Sequence, residues 1–378
     1  MNYPQKIIIL AIVLFAYGAS AEPLTPNQPL QLSTYLIGTY TDTKTQGIEL
    51  LRFDQQSMLL SSKVVASEIE NPTFVIANRA RTLIFAVESA QNGKLNSYSL
   101  NSVQPSLKLL DRTDSLGNHP CYLALDNSEH FLAVANYESG NFSIYEVDSM
   151  GGLHIKQTVQ HHGSSINTHR QNNAHVHSLV FHPNGKQLLV ADLGTDKIHI
   201  YDVNFSNATP ITQANPAYFS VASGAGPRHM VIHPNGKVLY LVHELTGEIG
   251  VYFYENGKIT HKNTQSLTAP KFKGDVQAAE VRISPDGNFV YASNRGTAND
   301  LSVFKVGLDG DLSLIQQISA YGQTPRNFNL SLDGRFLLVA NQGSNDIRIF
   351  QRDLVTGRLE ISPLKIKINK PAYILPFN

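Results

Sequence analysis

From Ser33 to its end this chain is written in short runs of alternating apolar and polar residues, rich in Val, Ile, Tyr and Phe and separated by Gly, Asn and Asp turns. A two-residue period over runs of roughly four to eight residues predicts β-strands with one face buried. The runs also repeat. FLAVANYESGNFSIYEV (131–147), QLLVADLGTDKIHIYDV (187–203), VLYLVHELTGEIGVYFY (238–254), FVYASNRGTANDLSVFKV (289–306) and FLLVANQGSNDIRIFQR (336–352) are copies of one pattern, and LIFAVESAQNGKLNSYSL (83–100) is a weaker one. Each has an apolar strand ending in a small polar residue, a polar turn, and a second alternating strand. Aligned strand ends fall at Ser89, Asn136, Asp192, His243, Asn294 and Asn341. Their intervals of about 50 residues hold four strands each, the size of a propeller blade.

Six copies leave both ends over. STYLIGTYTDTKTQGIELLRF (33–53) reads as a blade lacking its first strand, and KPAYILPFN (370–378) supplies such a strand alone. Together they complete a seventh blade and close the ring, which removes the open sheet edges an all-β chain must otherwise protect. The expected fold is therefore all-β: a seven-bladed β-propeller closed by pairing N-terminal strands with the C-terminal strand, in one domain over residues 22–378. The longest interval, Asn136 to Asp192, contains the polar insertion HHGSSINTHRQNNAHVH (161–177), and long loops on such scaffolds collect binding residues.

Residues 1–21 fit a cleaved export signal: Lys6, the apolar run Ile7 to Tyr17, then Ala19-Ser20-Ala21. The run is short for a membrane span, so a periplasmic or secreted protein with no span after cleavage is expected. Thirty basic residues balance thirty acidic ones without a basic stripe, which argues against nucleic acid as a partner. Cys121 is the only cysteine, so no intrachain disulfide can form. Trp is absent, and aromatic burial falls to Tyr and Phe. Oligomeric state is not written in these patterns.

The repeat also places chemistry. Seven residues before the turn residues Asn184, Asn235, Asp286 and Asp333 stand His177, Arg228, Ala279 and Arg326, at the starts of the innermost strands. Nine residues after the same turns stand Leu193, Glu244, Arg295 and Gln342, at the same blade end. His177, Arg228, Glu244 and Arg295 are thus expected around one mouth of the central channel. His161, His162, His169, His175 and His177 crowd one stretch, but without compact zinc-ligand spacing or a cysteine, so no metal or cofactor is expected. Neither a Gly-x-Ser-x-Gly elbow nor a Gly-rich phosphate loop is present.

At these residues the chain resembles the lactonase seven-bladed propeller family, which includes bacterial 6-phosphogluconolactonases and fungal carboxy-muconate lactonizing enzymes. The resemblance is carried by YLIGTYTD (35–42), HPCYLALD (119–126), VANYESGN (134–141), HHGSSIN with the following Arg170-Gln171 and HVHS (161–178), and ADLGTDKI (191–198). GAGPRHMVIHPNGKVLYLVHEL (224–245), AAEVRISPDGNFVYASNRG (278–296) and TPRNFNLSLDGRFLLVANQ (324–342) complete the set. Tyr122 departs from the His common in relatives. The resemblance implies catalytic roles for His177, Arg228, Glu244 and Arg295, with Arg170, Gln171, His175 and Arg326 shaping a pocket for a small anionic lactone or carboxylate. The implied reaction is lactone hydrolysis. The alternatives are the reverse, a cyclase acting on an unsaturated diacid, and a non-catalytic exported propeller that binds a ligand or protein.

Overall fold

The computed structural model describes residues 32–43, 46–101 and 105–377. The expected export signal, residues 1–21, lies outside them. Among the described residues twenty-eight strands form seven antiparallel four-stranded sheets. In chain order, blades 1 to 6 span residues 75–114, 120–160, 176–220, 227–266, 278–319 and 325–367. Blade 7 is composite: Pro371–Pro376 is its innermost strand and pairs antiparallel with Leu32–Thr39, with Ile37 opposite Ile374. The ring closes as the two half-blades predict. Among the described residues no helix is long and apolar enough to cross a membrane.

The turns explain why the repeat keeps its spelling. In Asn184-Gly185, Asn235-Gly236 and Asp286-Gly287 the glycine has φ near +70° (70, 72 and 74°), a conformation that costs a Cβ-bearing residue. The preceding side chain accepts the amide hydrogen two residues on: Asn184 from Lys186 and Asn235 from Lys237 at 2.8 Å, Asp286 from Asn288 at 3.0 Å. A local turn of this kind fixes the hairpin register.

Burial is organised between blades rather than at one centre. Seven apolar clusters among the described residues match the seven blade junctions. At the closing junction Tyr35, Ile37 and Phe53 of blade 7 pack on Leu338 and Ile349 of blade 6. Tyrosines tie neighbours together as well: Tyr240 and Tyr291 each donate to a glycine carbonyl of the next blade, Gly310 and Gly357, at 2.9 Å. Register alters one detail of the sequence alignment. In blade 1 the strand ends at Glu88, opposite Lys94, as Asn136 ends opposite Asn141 in blade 2. The equivalent of Asn136 is Glu88, and Ser89 belongs one place further on, because the hairpin loop of blade 1 is one residue longer.

Candidate active site at the channel mouth

Two sets of equivalent positions build the mouth. The first comes from a β-bulge repeated at the start of the innermost strands. In blade 2 Pro120 faces Asn136 but Tyr122 faces Ala135, which leaves Cys121 extra. The same shift leaves His177 extra in blade 3 and Arg326 extra in blade 6. In blade 4 Arg228 and His229 share one opposing residue, as Ala279 and Glu280 do in blade 5. A bulge breaks the strict alternation of faces and re-aims a side chain. Here it turns Cys121, His177, Arg228 and Arg326 into one cavity.

The second set follows the second strand of each blade. Its backbone N–H donates to the carbonyl of the incoming connection: Tyr40 to Lys370, Ser89 to Asn71, Tyr137 to His119, Leu193 to His175, Glu244 to Gly226, Arg295 to Gln277 and Gln342 to Thr324, all 2.8–3.1 Å. Tyr40, Ser89, Tyr137, Glu244 and Arg295 of this set face the same cavity, which measures about 300 Å³.

Glu244 is the electrostatic centre. Arg170 donates to its Oε1 at 2.6 Å, Arg228 Nε donates to Oε2 at 2.8 Å, and Arg295 Nη2 stands 3.0 Å from Oε2. Arg228 also donates to the Ala279 carbonyl at 2.5 Å, and Arg295 Nε to the Gln277 carbonyl at 3.2 Å. Burial alone would raise the Glu244 pKa, but Arg295, Arg228 and Arg170 outweigh it and hold the group well below the usual carboxylate range. Glu244 is thus an anion at neutral pH. Arg326 lies over the Tyr40 ring at 5.4 Å, and among the described residues it has no carboxylate partner. Four guanidinium groups and one carboxylate leave the cavity cationic.

His177 stands beside this group with Nε2 3.9 Å from Glu244 Oε2 and Nδ1 3.9 Å from Cys121 Sγ. Its ring lies edge-on to Tyr137 and His229, each 5.2 Å away. Burial, then Arg228 and His229, pull its pKa well below the ordinary imidazole value, so the ring is neutral. Burial pushes the Cys121 thiol up to about 12, which leaves it protonated.

Of the residues expected here, His177, Arg228, Glu244, Arg295, Arg170 and Arg326 line the cavity together. Gln171 and His175 stand behind the wall. Gln171 is fully buried and donates to the Leu193 carbonyl at 2.9 Å, pinning the insertion. His175 stacks on Tyr137 at 4.5 Å and bonds its carbonyl at 3.0 Å through Nδ1. Tyr40, Cys121 and Tyr137 escaped the residue count. Blades 2 and 7 lack the Asn-Gly or Asp-Gly turn that anchored it.

Comparison with known proteins decides the family. A model of the family described as Lactonase, 7-bladed beta-propeller matches residues 34–376. The chain belongs to that family. A 6-phosphogluconolactonase of Formosa agariphila is 35% identical over 340 residues, 88% of this chain and 96% of the relative. A 6-phosphogluconolactonase of Bacillus subtilis is 29% identical over 342 residues, 89% and 96% of the two chains. Among solved structures, the periplasmic gluconolactonase of Pseudomonas aeruginosa superposes with a TM-score of 0.87 at 30% identity, covering 92% of this chain and 99% of that one. These lactonase relatives span the whole ring described above.

Proposed function

We propose that the chain is a lactone hydrolase acting on a sugar-acid or related anionic lactone at the channel mouth. The observation that carries this reading is the cavity itself: a neutral imidazole beside a net cationic cluster of four arginines around one carboxylate. Opening a lactone needs a polarised carbonyl, an activated water and a proton for the departing alkoxide. Arg228, Arg295 and Arg326 supply fixed positive charge for the substrate anion and for the oxyanion that develops. His177, neutral in the free site, accepts the proton of the attacking water and returns it to the alkoxide. A bound anion offsets the guanidinium charge that depresses His177 and so raises its basicity as substrate arrives. Glu244, held ionised by three guanidinium groups, is a poor proton acceptor; its role is to set the positions of Arg170, Arg228 and Arg295.

Export to the periplasm or beyond is part of the proposal, supported by the residue 1–21 pattern and by the periplasmic gluconolactonase among the structural relatives. The test is proton release from a panel of phosphorylated and unphosphorylated sugar-acid lactones and aliphatic lactones by the purified mature chain. Turnover above the spontaneous rate for at least one sugar-acid lactone is expected. Rates equal to the spontaneous ones throughout would overturn the proposal.

A further inference from the structure

A second cluster of reactive side chains lies away from the mouth, under the root of the insertion between blades 2 and 3. His161 is the first residue after strand Leu153–Gln160. Asp192 ends the second strand of blade 3, and His199 lies on its third, Lys197–Val203. All three are buried. His161 Nδ1 is 2.9 Å and His199 Nε2 3.9 Å from the same oxygen, Asp192 Oδ2, and one ligand atom from each residue falls within 4.8 Å of the others.

Two further observations point to a ligand. His199 is 8% exposed, yet among the described residues neither ring nitrogen has a hydrogen-bond partner. Leaving buried polar atoms unpaired costs about 1–3 kcal/mol, so an imidazole facing a carboxylate and a second imidazole without a bond is uncommon. The surroundings are also arranged as outer support. Asp192 Oδ1 accepts two backbone hydrogens, from His175 at 2.8 Å and Gly194 at 3.0 Å, which fixes Oδ2 toward the histidines. His161 Nε2 is 2.8 Å from the Tyr201 hydroxyl, which holds the ring with Nδ1 inward. Metal-binding imidazoles are commonly oriented in this way through their other nitrogen.

We propose that His161, Asp192 and His199 form a site for one divalent transition-metal ion, zinc fitting best, which fastens the root of the insertion to blade 3. Two imidazoles and a carboxylate are a recurrent zinc set. Bonds of about 2.0–2.2 Å in tetrahedral geometry place ligand atoms about 3.3–3.5 Å apart, between the two separations measured from Asp192. The nearby cation, Lys197, is turned onto the Tyr218 ring at 4.2 Å. The site is structural: it holds the segment that carries Arg170 and takes no part in the hydrolysis proposed above.

The experiment is a cobalt(II) titration of untagged, chelator-stripped full-length protein, read by visible absorption, with zinc displacement. One saturating equivalent, displaced by zinc, is expected. His199→Leu should weaken binding at least tenfold, and Tyr201→Phe on the order of 10–100-fold. The His199 ring makes no hydrogen bond among the described residues, so the Leu variant should fold; His199→Phe, which keeps the ring stack on His161 (3.9 Å), is the second variant. Binding should survive in a His162→Ala/His169→Ala variant, because those exposed side chains lie outside the cluster. The proposal fails if the wild type binds no saturable equivalent, if His199 variants bind as tightly, or if binding vanishes with His162 and His169 instead. Lactone hydrolysis is measured separately, so either proposal can fail alone.

Discussion

The arginines around Glu244 are not equivalent. Arg228 and Arg295 are buried and ion-paired, whereas Arg326 is half-buried and adds positive charge that disfavours both of them. Arg326→Ala therefore relieves repulsion. Its melting temperature should stay level or rise, while kcat/KM for an anionic lactone falls about 10²–10³-fold, the usual loss for one oxyanion donor. Glu244→Gln should behave differently. It leaves three guanidinium groups without their counter-charge, and breaking such a buried arrangement costs about 3–5 kcal/mol; a thermal melt of the variant measures it. The depressed pKa of His177 makes a further prediction. Since His177 must be neutral to act as the proposed base, kcat/KM should stay flat as pH falls through 6.5 and drop only well below it. A half-maximal point at an ordinary imidazole pKa would show that another group limits the rate.

The strands and turns were written openly in the sequence, because alternation and Pro-Asn-Gly chemistry are local. His177, Arg228, Glu244 and Arg295 could be placed at one mouth by counting from those turns, since equivalent blades superpose. What the count could not supply was the bulge. A one-residue register shift leaves no local signature, yet it is what aims Cys121, His177 and Arg326 inward. The reach of Arg170 to Glu244, 74 residues away, was equally hidden, because it depends on how the insertion folds. That fold hangs on Gln171, which accepts from the Asn167 amide at 3.2 Å and donates to the Leu193 carbonyl. Gln171→Ala should lower activity through a misplaced Arg170. Pairing it with Arg170→Ala in a double-mutant cycle tests this: the losses should be strongly non-additive.

Across the whole ring, buried titratable groups set the response to acid. Burial and Arg228 hold His229 down to about 4, so the folded chain refuses a proton that the unfolded chain accepts near 6.5. Stability contributed by the neutral ring is present above 6.5 and is lost as pH falls; by pH 5 the loss is about 2 kcal/mol. Glu280, lowered to about 2 because Arg282 and His229 outweigh its burial, loses its contribution between about 4.5 and 2. Both act in one direction, and melting temperatures should fall steadily from pH 7.5 to 5. Closure of the ring by Pro371–Pro376 has a temporal consequence. This strand is made after Leu32–Thr39 and after the six blades between them, so a nascent chain short of it exposes the backbone of Leu32–Thr39 as an unpaired template. Until the two strands meet, that edge is open to pairing with another chain, and a holding chaperone that masks it protects the half-made ring.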